Sequence, residues 1–175
     1  MNLKILQLIK DKLKDLLKDK EILDIILFGS AIKGKFLPND FDIAIITDKK
    51  LNIVIESFHI SILKSRDFFI NPPSLVHTLI REGYSLKHNK FLSEIYKFSN
   101  RTLFIYDLTS LNNSNKVKIV NALRGKNKEK GLVEQNNGKW LANQVFTVPL
   151  EYDEFFEKFF INFKVKFNKF YILIH

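Results

Sequence analysis

Hydrophobic and polar positions alternate in changing rhythms along this chain, and the changes mark its elements. Between residues 3 and 19, Leu3, Ile5, Leu6, Ile9, Leu13, Leu16 and Leu17 recur at helical spacing with Lys and Asp between them. That pattern predicts an amphipathic helix. Residues 22–28, "ILDIILF", form a short apolar run closed by Gly29, the pattern of a buried strand. A second such run, "FDIAIIT" (41–47), follows a loop that contains Pro38. The stretch 52–63 is ambiguous, but its end, "FHISIL", alternates as a strand does. Pro72-Pro73 opens a helix through "SLVHTLIREG", with Gly83 as its expected C-cap.

Beyond residue 88 the same reading predicts a helix over 89–98, a strand over 102–108 and a helix near 115–123. "KGLVEQ" reads as a short helical piece and "NNG" (136–138) as a turn. A strand through "WLANQVFTVP", a helix over 151–162 and a closing strand through "FKVKFNKFYILI" complete the chain. Helices and strands alternate, so the expected class is mixed α/β (α+β). The linker-like "SLNNSN" (110–115) places the expected division between a domain at 1–110 and a smaller α+β domain at 111–175.

Composition narrows the function less than the pattern does. Hydrophobic residues make up 46% of the 175, enough for an ordinary core. The absence of cysteine excludes disulfides and thiolate metal sites. The N-terminal twenty residues are charged throughout, unlike a signal peptide or a membrane span, so a cytoplasmic protein without membrane association is expected. The net charge of +9 favours polyanionic partners such as nucleic acid or nucleotides. Residues 1–99 carry 16 basic and 12 acidic side chains (+4) and residues 100–175 carry 12 and 7 (+5), so the bias toward the C-terminal part is mild.

The chemistry concentrates in "ILFGSAIKGKFLPNDFDIAII" (26–46), where two carboxylates, Asp40 and Asp42, interrupt an apolar strand. A glycine at 29 lets backbone N–H groups approach phosphates, and Ser30 adds a hydroxyl. Lys33 follows as a further candidate phosphate contact. Residues i and i+2 of a strand face the same way, so Asp40 and Asp42 would project together and could share divalent cations. Magnesium suits such a site, because it takes few carboxylates and completes its shell with phosphate oxygens. Cations held there would polarise an α-phosphate toward in-line attack by a hydroxyl.

"FGSAIKGKFLPNDFDIAI" resembles the Gly-Ser…Asp-x-Asp signature of the DNA polymerase beta-like nucleotidyltransferase superfamily, closest to its minimal stand-alone branch in archaea and bacteria. Nine residues separate Ser30 from Asp40. "PSLVHTLIREGYSL" resembles the helix and turn that close such domains, so the likeness covers about the first 86 residues. The resemblance implies a small mixed sheet flanked by helices, an NTP as substrate and Mg²⁺ (or Mn²⁺) as cofactor. By the same resemblance, Gly29 and Ser30 bind triphosphate, and Asp40 and Asp42 hold the metals. The implied reaction transfers a nucleoside monophosphate to a hydroxyl of an RNA, protein or small-molecule acceptor.

The chain departs from the family pattern at a third carboxylate, expected on the next strand. "FHISILK" offers His59 and Ser61 there, with Glu56 before it and Asp67 after it. Imidazole titrates near neutrality, so His59 is a candidate general base, against the simpler reading of a half-buried strand histidine. The alternative is a catalytically degenerate nucleotidyltransferase fold that binds nucleic acid or a partner protein, including an antitoxin-like role.

Other candidates carry competing readings. "RGKNKEKG" (124–131) presents Arg124, Lys126, Lys128 and Lys130, which could grip a nucleic-acid backbone or simply face solvent. Phe155, Phe156, Phe159 and Phe160 recur at helical spacing, which favours a buried helix face over base stacking. His77, His88 and His175 show no ligand spacing.

Overall fold

The computed structural model describes residues 3–33, 40–68, 70–127 and 129–175. The chain divides into two compact units, Met1–Ser99 together with His175, and Asn100–Ile174. The division falls near residue 100 rather than 111, because the strand expected at 102–108 pairs with strands of the C-terminal part.

The first unit opens with α1 (Leu3–Lys12) and α2 (Lys14–Lys18), where one helix was expected. The break falls at Leu13, a buried residue whose ψ of 12° leaves the helical region. A five-stranded sheet follows, built from β1 (Ile22–Phe28), β2 (Phe41–Thr47), β3 (Phe58–Leu63), β4 (Tyr84–Ser85) and β5 (Lys90–Phe91). Its strand order is β3-β2-β1-β4-β5. β1 pairs antiparallel with β2 and β4, whereas β2 pairs parallel with β3.

Alternation assigns each side chain a face. Asp24, Ile26 and Phe28 on β1 stand opposite Ile46, Ala44 and Asp42 on β2. Those three in turn stand opposite Leu63, Ser61 and His59 on β3. The apolar members of this face form a cluster with α3 (Ser74–Glu82) and α4 (Leu92–Ile95), through Val76, Leu79 and Leu92. The other face carries Ile25, Leu27, Ile43 and Ile45, all buried. Lys12 at the end of α1 lies 5.9 Å from the Phe58 ring on that side.

Two local expectations changed. The helix expected over 89–98 is only α4, because Lys90–Phe91 joins Tyr84–Ser85 as a short hairpin. Gly83 ends α3 in extended backbone (φ −72°), not in a left-handed cap. A Cβ there would stand 2.4 Å from the Leu79 backbone carbonyl oxygen and 2.6 Å from Ile26 Cγ2, so close approach to both α3 and β1 is what requires glycine.

The second unit is a four-stranded sheet in the order β7-β8-β6-β9. Its strands are β6 (Ser99–Asp107), β7 (Lys139–Ala142), β8 (Val145–Pro149) and β9 (Lys166–Ile174), with α5 (Asn113–Arg124), α6 (Leu132–Gln135) and α7 (Asp153–Asn162) between them. The single strand expected through "WLANQVFTVP" is a hairpin, turned at Asn143-Gln144 with Gln144 at φ 62°. Phe104, Phe146, Phe156 and Phe160 are completely buried, with ring centroids 5.1–6.2 Å apart. Each such pair adds about 0.5–1.5 kcal/mol beyond area burial. Buried Asp153 accepts from Lys169 Nζ (3.0 Å) and Tyr171 Oη (3.1 Å), which ties α7 to β9.

Candidate functional site

Phe28 is the last residue of β1, and the chain leaves it in a tight 3-10 turn over Gly29–Ala31. Gly29 has φ +75°, a conformation that side chains with a Cβ rarely take. A Cβ built on it would lie 2.4 Å from Asp42 Oδ2 and 3.2 Å from Asp42 Cγ. The vacancy at Gly29 is therefore what lets the carboxylate of Asp42 sit against the Gly-Ser turn. Antiparallel register brings the two together, since Phe28 is the partner of Asp42.

Asp42 is half-buried and Asp40 is exposed at the bend that leads into β2. The next backbone amide, Phe41 N–H, donates to Ser57 O (2.9 Å), so pairing with β3 begins immediately after Asp40. On β3 the register partner of Asp42 is His59, with Nδ1 3.5 Å from Asp42 Oδ1. That separation is within ion-pair range and longer than a good hydrogen bond. The His59 side chain is 72% exposed, so it is a surface group beside the carboxylate and not a core histidine.

The other candidate carboxylates are placed differently. Asp67 accepts from Lys64 N–H (3.1 Å) in the turn after β3, at the end of the strand away from His59. Glu56 is exposed in the turn before β3, on the His59 side. Among the described residues, no group of three His, Asp or Glu side chains forms a ready cation site. A metal here would take Asp40 and Asp42 from the chain and the rest of its shell from substrate and water, a donor set of hard oxygens that fits Mg²⁺.

Lys33 behaves otherwise than a free phosphate ligand would. Its Nζ lies 3.1 Å from Oε2 of Glu82, a carboxylate only 2% exposed at the end of α3, and Arg81 Nη2 lies 3.5 Å from the same oxygen. Ile32 beside it is fully buried. Together they pin the exit of the Gly-Ser turn to α3. Glu82 was visible in the sequence only as part of "REG"; a carboxylate following an apolar helix face was its sole signal.

In the second unit, Arg124 closes α5 and its guanidinium lies 3.9 Å from the Trp140 ring, an arrangement typical of cation–π contact. Its Nη2 donates to Asn143 Oδ1 (3.2 Å). Arg124, Lys126 and Lys130 line a polar cleft of about 290 Å³, together with Glu129 and Glu134. Lys128, the fourth cation of that loop, is outside the described residues.

The model of the nucleotidyltransferase domain matches residues 6–125, more than half of the chain. The protein belongs to that family, consistent with the polymerase beta-like nucleotidyltransferase superfamily. Its mixed α/β architecture is consistent with the nucleotidyltransferase fold, and the family assigns a general role in nucleotidyl transfer with an NTP as substrate. No curated protein and no solved structure matches the chain. Among the described residues, no helix is long and apolar enough to cross a membrane.

Proposed function

We propose that the protein transfers a nucleoside monophosphate from an NTP to a hydroxyl, using the turn at Gly29-Ser30 and the carboxylates of Asp40 and Asp42. The observation that supports this reading is the contact of Asp42 with the space above Gly29, which sets a carboxylate against the Gly-Ser turn. Gly29 and Ser30 receive the triphosphate through backbone N–H groups and the Ser30 hydroxyl. Asp40 and Asp42 would hold a divalent cation, which would polarise the α-phosphate and offset charge on the leaving pyrophosphate.

In the transfer, the acceptor oxygen forms a bond to the α-phosphorus as the bond from that phosphorus to the pyrophosphate oxygen breaks. The hydroxyl proton goes to His59. Asp42 Oδ1 faces Nδ1 of that ring, which leaves Nε2 directed away from the carboxylate to accept it. His59 thus takes the place that a third carboxylate would hold. Lys33 acts indirectly, by fixing the turn against Glu82. The basic loop with Arg124, Lys126, Lys128 and Lys130 is suited to the phosphates of a nucleic-acid acceptor.

Replacing both carboxylates, Asp40→Asn with Asp42→Asn, should reduce NTP-dependent labelling of acceptor by on the order of 10³-fold or more, the equivalent of several kcal/mol of transition-state stabilisation. Undiminished labelling in the double variant would remove the proposal. The exposed His59 at the register position of a carboxylate favours one further reading, a fold that binds without catalysing. Calorimetry separates the two. Magnesium-dependent ATP binding supports the enzyme, whereas salt-sensitive RNA binding indifferent to Asp40 and Asp42 supports the binding module.

A further inference from the structure

The face of the first sheet that carries Asp42 at one end carries a second carboxylate at the other. Asp24 interrupts the apolar run of β1 and is 8% exposed. Four residue steps along the strand separate it from Phe28, roughly 13 Å at ~3.3 Å per residue. A group bound at Asp24 is therefore out of reach of chemistry at Gly29-Ser30, and nothing in the transfer reaction uses this side chain.

Asp24 lines an open cleft of about 190 Å³ between the sheet and the α3–α4 layer. Ile26, Ile46 and Leu92 form its walls, and Leu23, Ile95 and Tyr96 stand at its mouth with 45–53% of their surface exposed. Ser65 also lines it, but its hydroxyl already donates to Asp48 Oδ2 (2.6 Å). An apolar cavity of about 150 Å³ is known to admit benzene, so this volume suits one ring with a short arm.

The environment of the carboxylate defines the arm. Asp24 Oδ1 accepts from Ser85 Oγ and from Ile25 N–H, both at 2.8 Å, and the Lys87 backbone amide also turns toward the carboxylate. These donors are all neutral. The nearest side-chain cations are committed or exposed: Lys87 Nζ donates to the carbonyls of Asp19 (2.8 Å) and Ile22, and His88 is at the surface. Among the described residues none forms an ion pair with Asp24. A buried carboxylate held mainly by neutral donors is costly, with only the exposed His88 imidazole close enough to offset its charge, and a cation delivered by a ligand lowers that cost. Burial accordingly pushes its proton affinity up, against the hydrogen bonds from Ser85 and Ile25.

We propose that this cleft is a second binding site, specific for a small organic cation that inserts an apolar ring or alkyl body among Ile26, Ile46 and Leu92 and presents an ammonium or amidinium group to Asp24. Binding favours the positive charge: a neutral isostere keeps the apolar contacts and loses the pairing, and an anion is rejected.

Benzylamine, benzyl alcohol and benzoate test this as probes of one shape and three charges. Titrations at neutral pH would be followed by the amide resonances of Ile26, Ser85 and Ile95. The expected order is benzylamine at least tenfold tighter than benzyl alcohol, with no saturable effect of benzoate. In Asp24→Asn, benzylamine should fall to within about threefold of benzyl alcohol while benzyl alcohol keeps its wild-type affinity, which shows the cavity intact. Equal affinity for amine and alcohol, saturable benzoate binding, or absence of any shift at these amides would overturn the proposal. So would an unchanged amine preference in the variant. Should Asp24→Asn not fold, the charge order in the wild-type protein decides. Nucleotide is absent from the titration, so its outcome is independent of the transfer reaction.

Discussion

The two sheets of this protein solve the same packing problem with opposite materials. Both pack a face under helices, yet five of the eleven buried residues of the second core are aromatic, with Phe104, Phe156 and Phe160 fully buried around Phe146, whereas the buried residues of the first cluster are all aliphatic. The first uses aliphatic side chains and admits Asp24, Asp42, His59, Ser61 and Ser85 onto its strands. The aromatic sheet has no carboxylate on its core-facing strand positions; its buried Asp153 stands on α7 and pairs with Lys169. Carboxylates in a strand must be offset by something, and in the first sheet the offsets are the vacancy at Gly29, the register partner His59 and the hydroxyl of Ser85. On the proposed reading, the polar interruptions of the first sheet's strands are where it meets a ligand. A repeated ring marks where a sheet is built to last.

The sharpest test of the contrast is Phe146→Ala. Its ring touches Phe104, Tyr106, Trp140, Phe156 and Phe160. Truncation should cost about 3–5 kcal/mol, since a rigid ring cluster collapses poorly into the void. Denaturant unfolding followed by Trp140 fluorescence measures it. A loss below about 1 kcal/mol would mean that the aromatic core is not the stabilising element it resembles.

A smaller stability effect with a large functional one is expected at Gly29→Ala. Left-handed backbone and displacement of the Asp42 carboxylate should together cost about 1–3 kcal/mol. Transfer activity should fall at least about 100-fold, because misplacing a catalytic group by an ångström has that scale of effect. The two readouts separate the roles of the sheets: Phe146→Ala loses stability first, Gly29→Ala loses chemistry first. A Gly29→Ala protein with near-normal turnover would show that the turn and Asp42 need not touch.

Much of this was legible beforehand. β1 and β2 begin and end where the apolar runs 22–28 and 41–47 do, because both runs are buried on two faces and bounded by a glycine or a bend. The meeting of Gly29 with Asp42 was foreshadowed by the Gly-Ser and Asp-x-Asp pattern, although only the antiparallel register shows which carboxylate fills the glycine's vacancy. The partner of Lys33, Glu82, lies 49 residues away on α3, and no local pattern announces it. The hairpin of β4 and β5 escaped because two-residue strands have no period to detect. Asp24 was in plain sight within "ILDIILF", but the cleft beside it is made by Leu92, Ile95 and Tyr96, which come from a distant part of the chain.

The least perturbing change, Asp24→Asn, carries the comparison to a single side chain. Asparagine retains an oxygen to accept from Ser85 Oγ and Ile25 N–H, so packing and hydrogen bonding persist while the charge disappears. In the wild-type fold, burial raises the pKa of Asp24 above its usual 3.8, against the opposing hydrogen bonds. The folded state then holds its proton at pH values where the unfolded chain has released it. This group's favourable contribution is therefore complete below the unfolded value and is lost as pH rises through the folded one. The variant has no such loss. Its melting temperature should match wild type, or fall slightly below it, near pH 3 and rise above it by pH 7, the difference growing across the window between the unfolded and folded values. Parallel melting curves across that range would show that Asp24 is already compensated in the fold, and that the first sheet tolerates a buried carboxylate as readily as the second tolerates Asp153.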